Sequence, residues 1–202
     1  MAARAPLPLL RRLALACIPT AENVLGPMYR KGAPFRDRLC PPDEPGTPLT
    51  VSGTISGAPS CEPLTGALLD VWQTNDRGLY SNLLGLNFLS LNFLSRADPK
   101  KPGAYNLRGR MRTDDRGRYR FESVLPGRYP LWVLTRPRHI HFRVSHPGHC
   151  TLVTQLYVAD DPYLGRDPWV KESLIVPLEE DPDRPGRLRA VFDIVLEVAG
   201  WG

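Results

Sequence analysis

No apolar run in this sequence reaches the roughly 18 residues that a membrane-spanning helix requires, so no membrane segment is expected. None of the 4 cysteines, Cys17, Cys40, Cys61 and Cys150, forms a Cys-x-x-Cys pair. That argues against a structural zinc site, and the spacing is too sparse for a disulfide-built scaffold. One or two bridges could form, but the spacing alone does not say which cysteines pair. No long basic run and no interleaving of basic and aromatic residues is present, which argues against nucleic acid as a partner. The net charge of +5 suits an anionic small substrate or simply a solvated surface. A working export leader is not expected either. Arg11-Arg12 precede Leu13-Ala-Leu-Ala-Cys17, an apolar stretch of about six residues where a leader core has ~7–15. The segment reads as a structured or frayed end, with a cytoplasmic location favoured over export.

What the sequence has in excess is proline, 22 of 202 residues, about twice the usual ~5%. Proline is poorly tolerated inside helices and central strands. A chain this rich in it should be built from turns and short strands, and recurring apolar alternation argues against the competing reading of partial disorder. Residues 1–48 lack periodicity and are expected to form an extended N-terminal arm. A single domain over 49–202 follows.

Within that domain, Leu49, Val51, Gly53 and Ile55 alternate with polar residues as a half-buried strand does. Further strands are expected over Ala67–Gln73, Arg108–Thr113, Arg118–Val124, Tyr129–Leu134, His139–Ser145, Thr151–Val158 and Leu188–Val198, separated by Gly-, Pro- and Asp-rich turns. Pro177–Pro185 reads as a surface loop. Short strands at close spacing with no helical period describe an all-β sandwich or barrel. Leu86-Asn-Phe-Leu-Ser90 is repeated at once as Leu91-Asn-Phe-Leu-Ser95. Two copies are too few for a solenoid. The resulting apolar tract, Leu83–Leu94, is expected to cover a cavity as a lid, to pack against a second copy of the chain in a homo-oligomer, or simply to loop out.

The chemistry concentrates in His139-Ile-His-Phe-Arg-Val144. Alternate residues of a strand share a face, so His139, His141 and Arg143 lie together while Ile140, Phe142 and Val144 face the core. Two imidazoles at i and i+2 can bind one iron, copper or zinc ion, or can be two surface histidines and nothing more. His146 and His149, in a turn, are expected to face solvent. Asp160 and Asp161 are acidic candidates to complete a site. Tyr80 and Tyr129 are others, each just after a turn, where a tyrosine usually packs its ring and leaves its hydroxyl wet.

Several segments together resemble one family. Gly26-Pro-Met-Tyr29, Leu69-Asp-Val-Trp-Gln-Thr-Asn-Asp-Arg-Gly-Leu-Tyr80, the stretch Leu107–Phe121, Leu125-Pro-Gly-Arg-Tyr-Pro130, Arg136-Pro-Arg-His-Ile-His-Phe142 and Leu152-Val-Thr-Gln-Leu-Tyr157 are similar, in order, to the intradiol ring-cleavage dioxygenases. The chain's length points to the small single-domain form or the protocatechuate-subunit type. The resemblance implies a Greek-key β-sandwich with long loops. It also implies a non-haem Fe(III) site held by Tyr80, Tyr129, His139 and His141, with Arg136 and Gln155 beside the substrate. In such enzymes a catechol gives up two protons, displaces the second tyrosine (here Tyr129) and is opened by O2 between its hydroxyls to a cis,cis-muconate-type diacid. Two other readings stand beside this one: a non-catalytic β-sandwich binding module, and a zinc or copper protein in which only the histidines ligate.

Overall fold

The computed structural model describes residues 17–81, 103–131 and 134–200. The duplicated Leu-Asn-Phe-Leu-Ser tract lies outside them. The strands are β1 (Pro48–Gly57), β2 (Glu62–Pro63), β3 (Leu68–Gln73), β4 (Arg108–Arg112), β5 (Arg118–Val124), β6 (Tyr129–Leu131), β7 (Leu134–Arg136), β8 (His139–Ser145), β9 (Leu152–Val158), β10 (Ile175–Val176), β11 (Glu179–Glu180), β12 (Leu188–Val191) and β13 (Ile194–Leu196). One sheet is built around β1, which pairs with β5 on one side, with β12 and β13 on the other, and with β2 at its end; β11 joins through β12. The second sheet runs β10-β9-β8-β3-β4. The chain leaves the second sheet after β4, pairs β5 with β1, and returns at β8 beside β3. These crossings make an all-β sandwich.

The period-2 pattern explains the layering. Val51, Ile55 and Phe121 of the first sheet and Leu69, Val71, Ile140, Phe142 and Val144 of the second are essentially unexposed and form one core cluster. Phe142 stands at its centre, 6.1 Å from Phe121 and 5.2 Å from Phe192 between ring centroids. Burying a Phe side chain contributes about 1.5–3 kcal/mol, so this row of rings is a main source of the adhesion between sheets.

Two expected strands are divided. Tyr129–Leu134 is not one strand: β6 pairs antiparallel with β7, which sets Tyr129 directly across from Arg136. Leu188–Val198 is broken between β12 and β13. The register against β1 is the same on both sides of the break, Ser52 against Val191 and Ile55 against Ile194. At the break the Asp193 side chain accepts the Thr54 N–H at 2.8 Å, which a strand carbonyl would otherwise take. Gly53 lies opposite because a Cβ there would come within 2.1 Å of the Phe192 carbonyl oxygen. The expected loop Pro177–Pro185 includes β11.

Residues 17–47 contain no regular strand and cross both sheets in extended form. Thr20 N–H donates to the Val195 carbonyl, Asn23 N–H to Val153 and Leu39 N–H to Glu122. The start of this stretch is bridged to the β1–β2 turn by a Cys17–Cys61 disulfide, with Cα atoms 5.4 Å apart. Cys40 is buried and Cys150 exposed, and burial pushes the Cys40 thiol up to about 11. Native, unreduced protein should therefore show one fast-reacting thiol, with a second appearing on denaturation and the last two only after reduction. Four reactive thiols without reductant would refute the pairing.

Candidate active site

The strand that carries the two histidines is buried on both faces. Ile140, Phe142 and Val144 enter the core, while His139 and His141, each 2% exposed, are roofed by residues 24–28 and by the two turns that carry the tyrosines. The alternative of two surface histidines on β8 fails here because a second small cluster, Met28, Trp72, Tyr80 and Tyr129, packs over it. Gly26 has a positive φ of 71°, and a Cβ there would stand 3.3 Å from His141 Cε1. Glycine thus lets the backbone cross the imidazole closely.

Cross-strand pairing sets the geometry. On β8, His141 lies between Trp72 of β3 and Gln155 of β9, and His139 lies opposite Tyr157. The Trp72 indole stacks on His141 with ring centroids 4.7 Å apart and planes 7° from parallel. The Tyr80 hydroxyl lies 3.4 Å from His139 Nε2. The Tyr80 and Tyr129 rings meet edge to face at 5.2 Å, and the two imidazoles at 4.8 Å. Tyr80, Tyr129, Arg136 and His141, with Val24, Gly26, Pro27, Met28 and Trp169, line a cavity of about 140 Å³.

His139 is held in one tautomer. Its Nδ1 lies 2.6 Å from the Pro137 carbonyl, so it donates there and leaves the Nε2 lone pair for an ion. His141 Nδ1 is buried and has no hydrogen-bond partner among the described residues. Burial, aided by the Arg136 charge, pushes His139 down to about 3. Burial, the other imidazole and Arg136 hold His141 well below the usual range. Both are therefore neutral, the form that binds metals. Burial raises the Tyr80 phenol, opposed by the Arg136 and Arg108 guanidinium groups. It also raises Tyr129, opposed by Arg136. Two buried phenols that resist ionisation on their own need a cation to hold them as phenolates.

The histidines also set a pH dependence. Their folded pKa values lie below the unfolded value of 6.5, so the unfolded chain binds the extra protons as pH falls. Metal-stripped protein should keep this part of its stability above about pH 6.5 and lose it toward pH 3. Between pH 6.5 and 5 the loss is about 2 kcal/mol for His139, and His141 adds to it in the same direction. Urea unfolding of the stripped protein at both pH values checks this; equal midpoints would contradict it.

Arg136, expected beside the substrate, is also held in a structural ion pair. Its Nε donates to Asp167 Oδ2 at 2.8 Å in a buried salt bridge. Its Nη2 donates to Gln155 Oε1 at 3.0 Å and to the Tyr157 hydroxyl at 2.9 Å. Only Nη1 turns to the donor cluster, 3.4 Å from His139 Nε2. Gln155 is fully buried and is not among the cavity-lining residues. It is a strut instead, taking Arg136 on Oε1 and donating from Nε2 to the Val24 carbonyl at 2.8 Å. Asp161 faces Arg128 and Arg138, and Asp160 is exposed, so neither joins the histidines. His146 and His149 are half-buried, with Nδ1 atoms 3.2 Å apart, rather than open to solvent.

Asp167, Tyr157, Trp169 and Arg108 went unassigned in the sequence. Arg108 is 1% exposed, donates to Ser81 Oγ at 3.0 Å and the Met28 carbonyl at 2.7 Å, and lies 5.7 Å from the Tyr80 ring centroid. A charged residue that opens a buried strand was the available signal for Arg108. Asp167 sits on a loop with no pattern to mark it.

Among the described residues no group of three or more His, Cys, Asp or Glu could hold a metal. Among the described residues, the anionic donors beside the two histidines are the phenols. Anionic oxygen donors of that kind suit a small, highly charged ion such as iron(III), so the donor set fits it.

A protein-family model described as "Dioxygenase" matches residues 24–198. The chain is 34% identical over 203 residues to a catechol 1,2-dioxygenase of Candida albicans, covering 89% of this chain and 62% of the relative. It is 36% identical over 165 residues to catechol 1,2-dioxygenase 2 of Acinetobacter lwoffii, covering 73% and 54%. Among solved structures it is similar to the dioxygenase domain of a dioxygenase–carbohydrate-binding protein fusion from Streptomyces sp. SirexAA-E. That match has a TM-score of 0.72 and 32% identity, over 90% of this chain and 100% of the other. The chain thus spans little more than half the length of the two catechol dioxygenases. It belongs to the intradiol ring-cleavage dioxygenase family.

Proposed function

We propose that this protein opens catechol-type rings between their two hydroxyls with O2, yielding cis,cis-muconate-type diacids, at an iron(III) ion held by Tyr80, Tyr129, His139 and His141. The observation that carries the reading is that two phenols, His141 and one guanidinium line a single small cavity, with His139 Nε2 behind it at 3.4 Å from both the Tyr80 hydroxyl and Arg136 Nη1. Bound iron would supply the Lewis acidity that keeps the catechol doubly deprotonated and reactive toward O2.

The chain's own residues do the rest. Val24, Pro27, Met28 and Trp169 give the cavity an apolar wall that suits a flat aromatic ring and excludes water. Tyr129 stands on a short hairpin at 6% exposure, whereas Tyr80 is walled in at 1%. Tyr129 is therefore the phenol that can swing aside for substrate. Burial raises its pKa, so once released it is a strong acceptor for a catechol proton. Arg136 Nη1 faces the point where charge builds on the opening ring, and a fixed donor in a dry site is worth far more than one in water.

The test is a visible spectrum, an iron assay and O2 uptake with catechol on one preparation. Red-brown protein with about one iron per chain, consuming one O2 per catechol, supports the reading. A colourless zinc protein would favour histidine-only ligation, and a metal-free protein that binds catechol without opening it would favour a binding module.

A further inference from the structure

We propose that Asp167 is a positioning residue of this reaction: its carboxylate fixes the Arg136 guanidinium and the Trp169 wall together, so that Nη1 is presented to bound substrate. The inference rests on the ring-opening function proposed above.

A guanidinium has five N–H donors in a rigid plane. At Arg136 the Nε donor goes to Asp167 Oδ2, and Nη2 serves both Gln155 and Tyr157. These three contacts fix the plane and leave Nη1 as the nitrogen on the cavity side. Its 3.4 Å contact with His139 Nε2 cannot persist as a hydrogen bond once that lone pair holds an ion. With that lone pair occupied, Nη1 would be the one guanidinium nitrogen left to face substrate.

Asp167 acts on the wall at the same time. Its Oδ1 accepts the main-chain N–H of Trp169 at 2.9 Å, and the Arg136 guanidinium carbon lies 5.0 Å from the Trp169 ring centroid. One carboxylate therefore sets both the donor and the indole beside it. The carboxylate side chain is unexposed, and that of Arg136 is 5% exposed. A buried pair of this sort can often be replaced by apolar residues without loss of stability. Stability alone therefore gives no reason for a charged pair here, whereas aiming a donor does. Asp167 also neutralises the guanidinium, so the substrate dianion meets a directed donor and not a diffuse positive charge.

Substitution should therefore move two constants in different ways. In Asp167→Asn the amide keeps one oxygen for Trp169 and turns its NH2 against Arg136 Nε. The guanidinium is pushed off line and its charge is left unbalanced. We expect kcat per bound iron to fall about 100-fold, the usual effect of misplacing a catalytic group by about 1 Å, while KM for catechol does not rise. Iron content and the resting visible spectrum should stay those of the unsubstituted protein. Asp167→Glu keeps the charge pair and should fold even if the amide does not; its longer stem displaces the guanidinium and should lower kcat about tenfold. In an Arg136→Leu background, Asp167→Asn should change kcat less than about twofold, because residues acting as one unit are not additive. Three results would overturn the proposal: kcat per iron within twofold of the unsubstituted protein in both single variants, losses that track iron loss, or additive losses in the double variant. An unsubstituted protein that binds iron but opens no catechol would instead remove the functional reading, and this inference with it.

Discussion

His141→Ala should yield a colourless protein that opens no catechol and retains almost no iron. His141, Tyr80 and His139 are the three buried donors that would have to hold the ion while Tyr129 swings aside for substrate, so losing His141 opens the permanent part of the site. Disturbing even an outer partner of a metal ligand lowers affinity about 10–100-fold; removing the ligand should lower it by more than about 100-fold. Folding should suffer far less. The imidazole is buried with an unpartnered Nδ1, so its removal takes away an unmet hydrogen bond along with the packing against Trp72. The metal-stripped variant should therefore melt close to the metal-stripped parent. Tyr129→Phe supplies the contrast: three ligands remain, some iron is kept, and turnover slows about 100-fold or more through loss of a proton acceptor. Iron analysis and calorimetry on the two variants separate the cases. One tightly bound iron per chain in His141→Ala would remove His141 from the ligand set.

The sandwich was legible in the sequence wherever one face of a strand is wet and the other dry. Alternation fixed the bounds of β5 and β8 and put Ile140, Phe142 and Val144 in the core. It gave no warning that the opposite face of β8 would also be buried. The covering comes from residues 24–28 and from two turns, segments with no periodicity, and all but the Tyr129 turn reach β8 from more than 50 positions away in the chain, as between Tyr80 and His139. The split of Tyr129–Leu134 into two strands was hidden for a related reason: a hairpin and a single strand show the same apolar composition over six residues, and only pairing distinguishes them. Alternation put His139 and His141 on one face as candidate ligands, whereas Tyr80 and Tyr129 were singled out as ligands only through family motifs, because a tyrosine after a turn is ordinary. Asp167 and Tyr157 escaped altogether. Their work is done on Arg136 from 31 and 21 residues away, a separation at which a single sequence carries no pairing signal.

Gly127→Ala should pull the two phenols apart and remove iron binding without touching any ligand. The turn Asn75–Gly78 leads to Tyr80, and the turn around Gly127 leads to Tyr129. The two turns meet backbone to backbone. Gly127 N–H donates to the Asn75 carbonyl at 2.7 Å, and the Thr74 hydroxyl donates to the Gly127 carbonyl at 2.9 Å. A Cβ on Gly127 would stand 2.3 Å from Gly78 N and 2.4 Å from the Asp76 carbonyl oxygen, and one on Gly78 would stand 1.9 Å from the Arg128 carbonyl oxygen. Those atoms are main chain and cannot swing aside, so a methyl must separate the turns. Gly78 has a positive φ of 80°, which would add conformational strain to any substitution there. Gly127 does not, so Gly127→Ala reads the effect of space alone. Overpacking of this kind destabilises by about 1–3 kcal/mol, and with two backbone contacts at once the upper end is expected here. The larger consequence is for the site. The Tyr80–Tyr129 ring distance of 5.2 Å depends on this contact, and a shift of about 1 Å is enough to spoil a preorganised ligand set. Gly148→Ala is the control: its φ is 77° but nothing lies within 4 Å of the added carbon, so it should lose only about 1–2 kcal/mol of local backbone energy and keep its iron. Denaturant unfolding together with the tyrosinate absorption band reads both effects. Gly127→Ala with a full complement of iron and unchanged stability would show that the two turns are not what brings the phenols together.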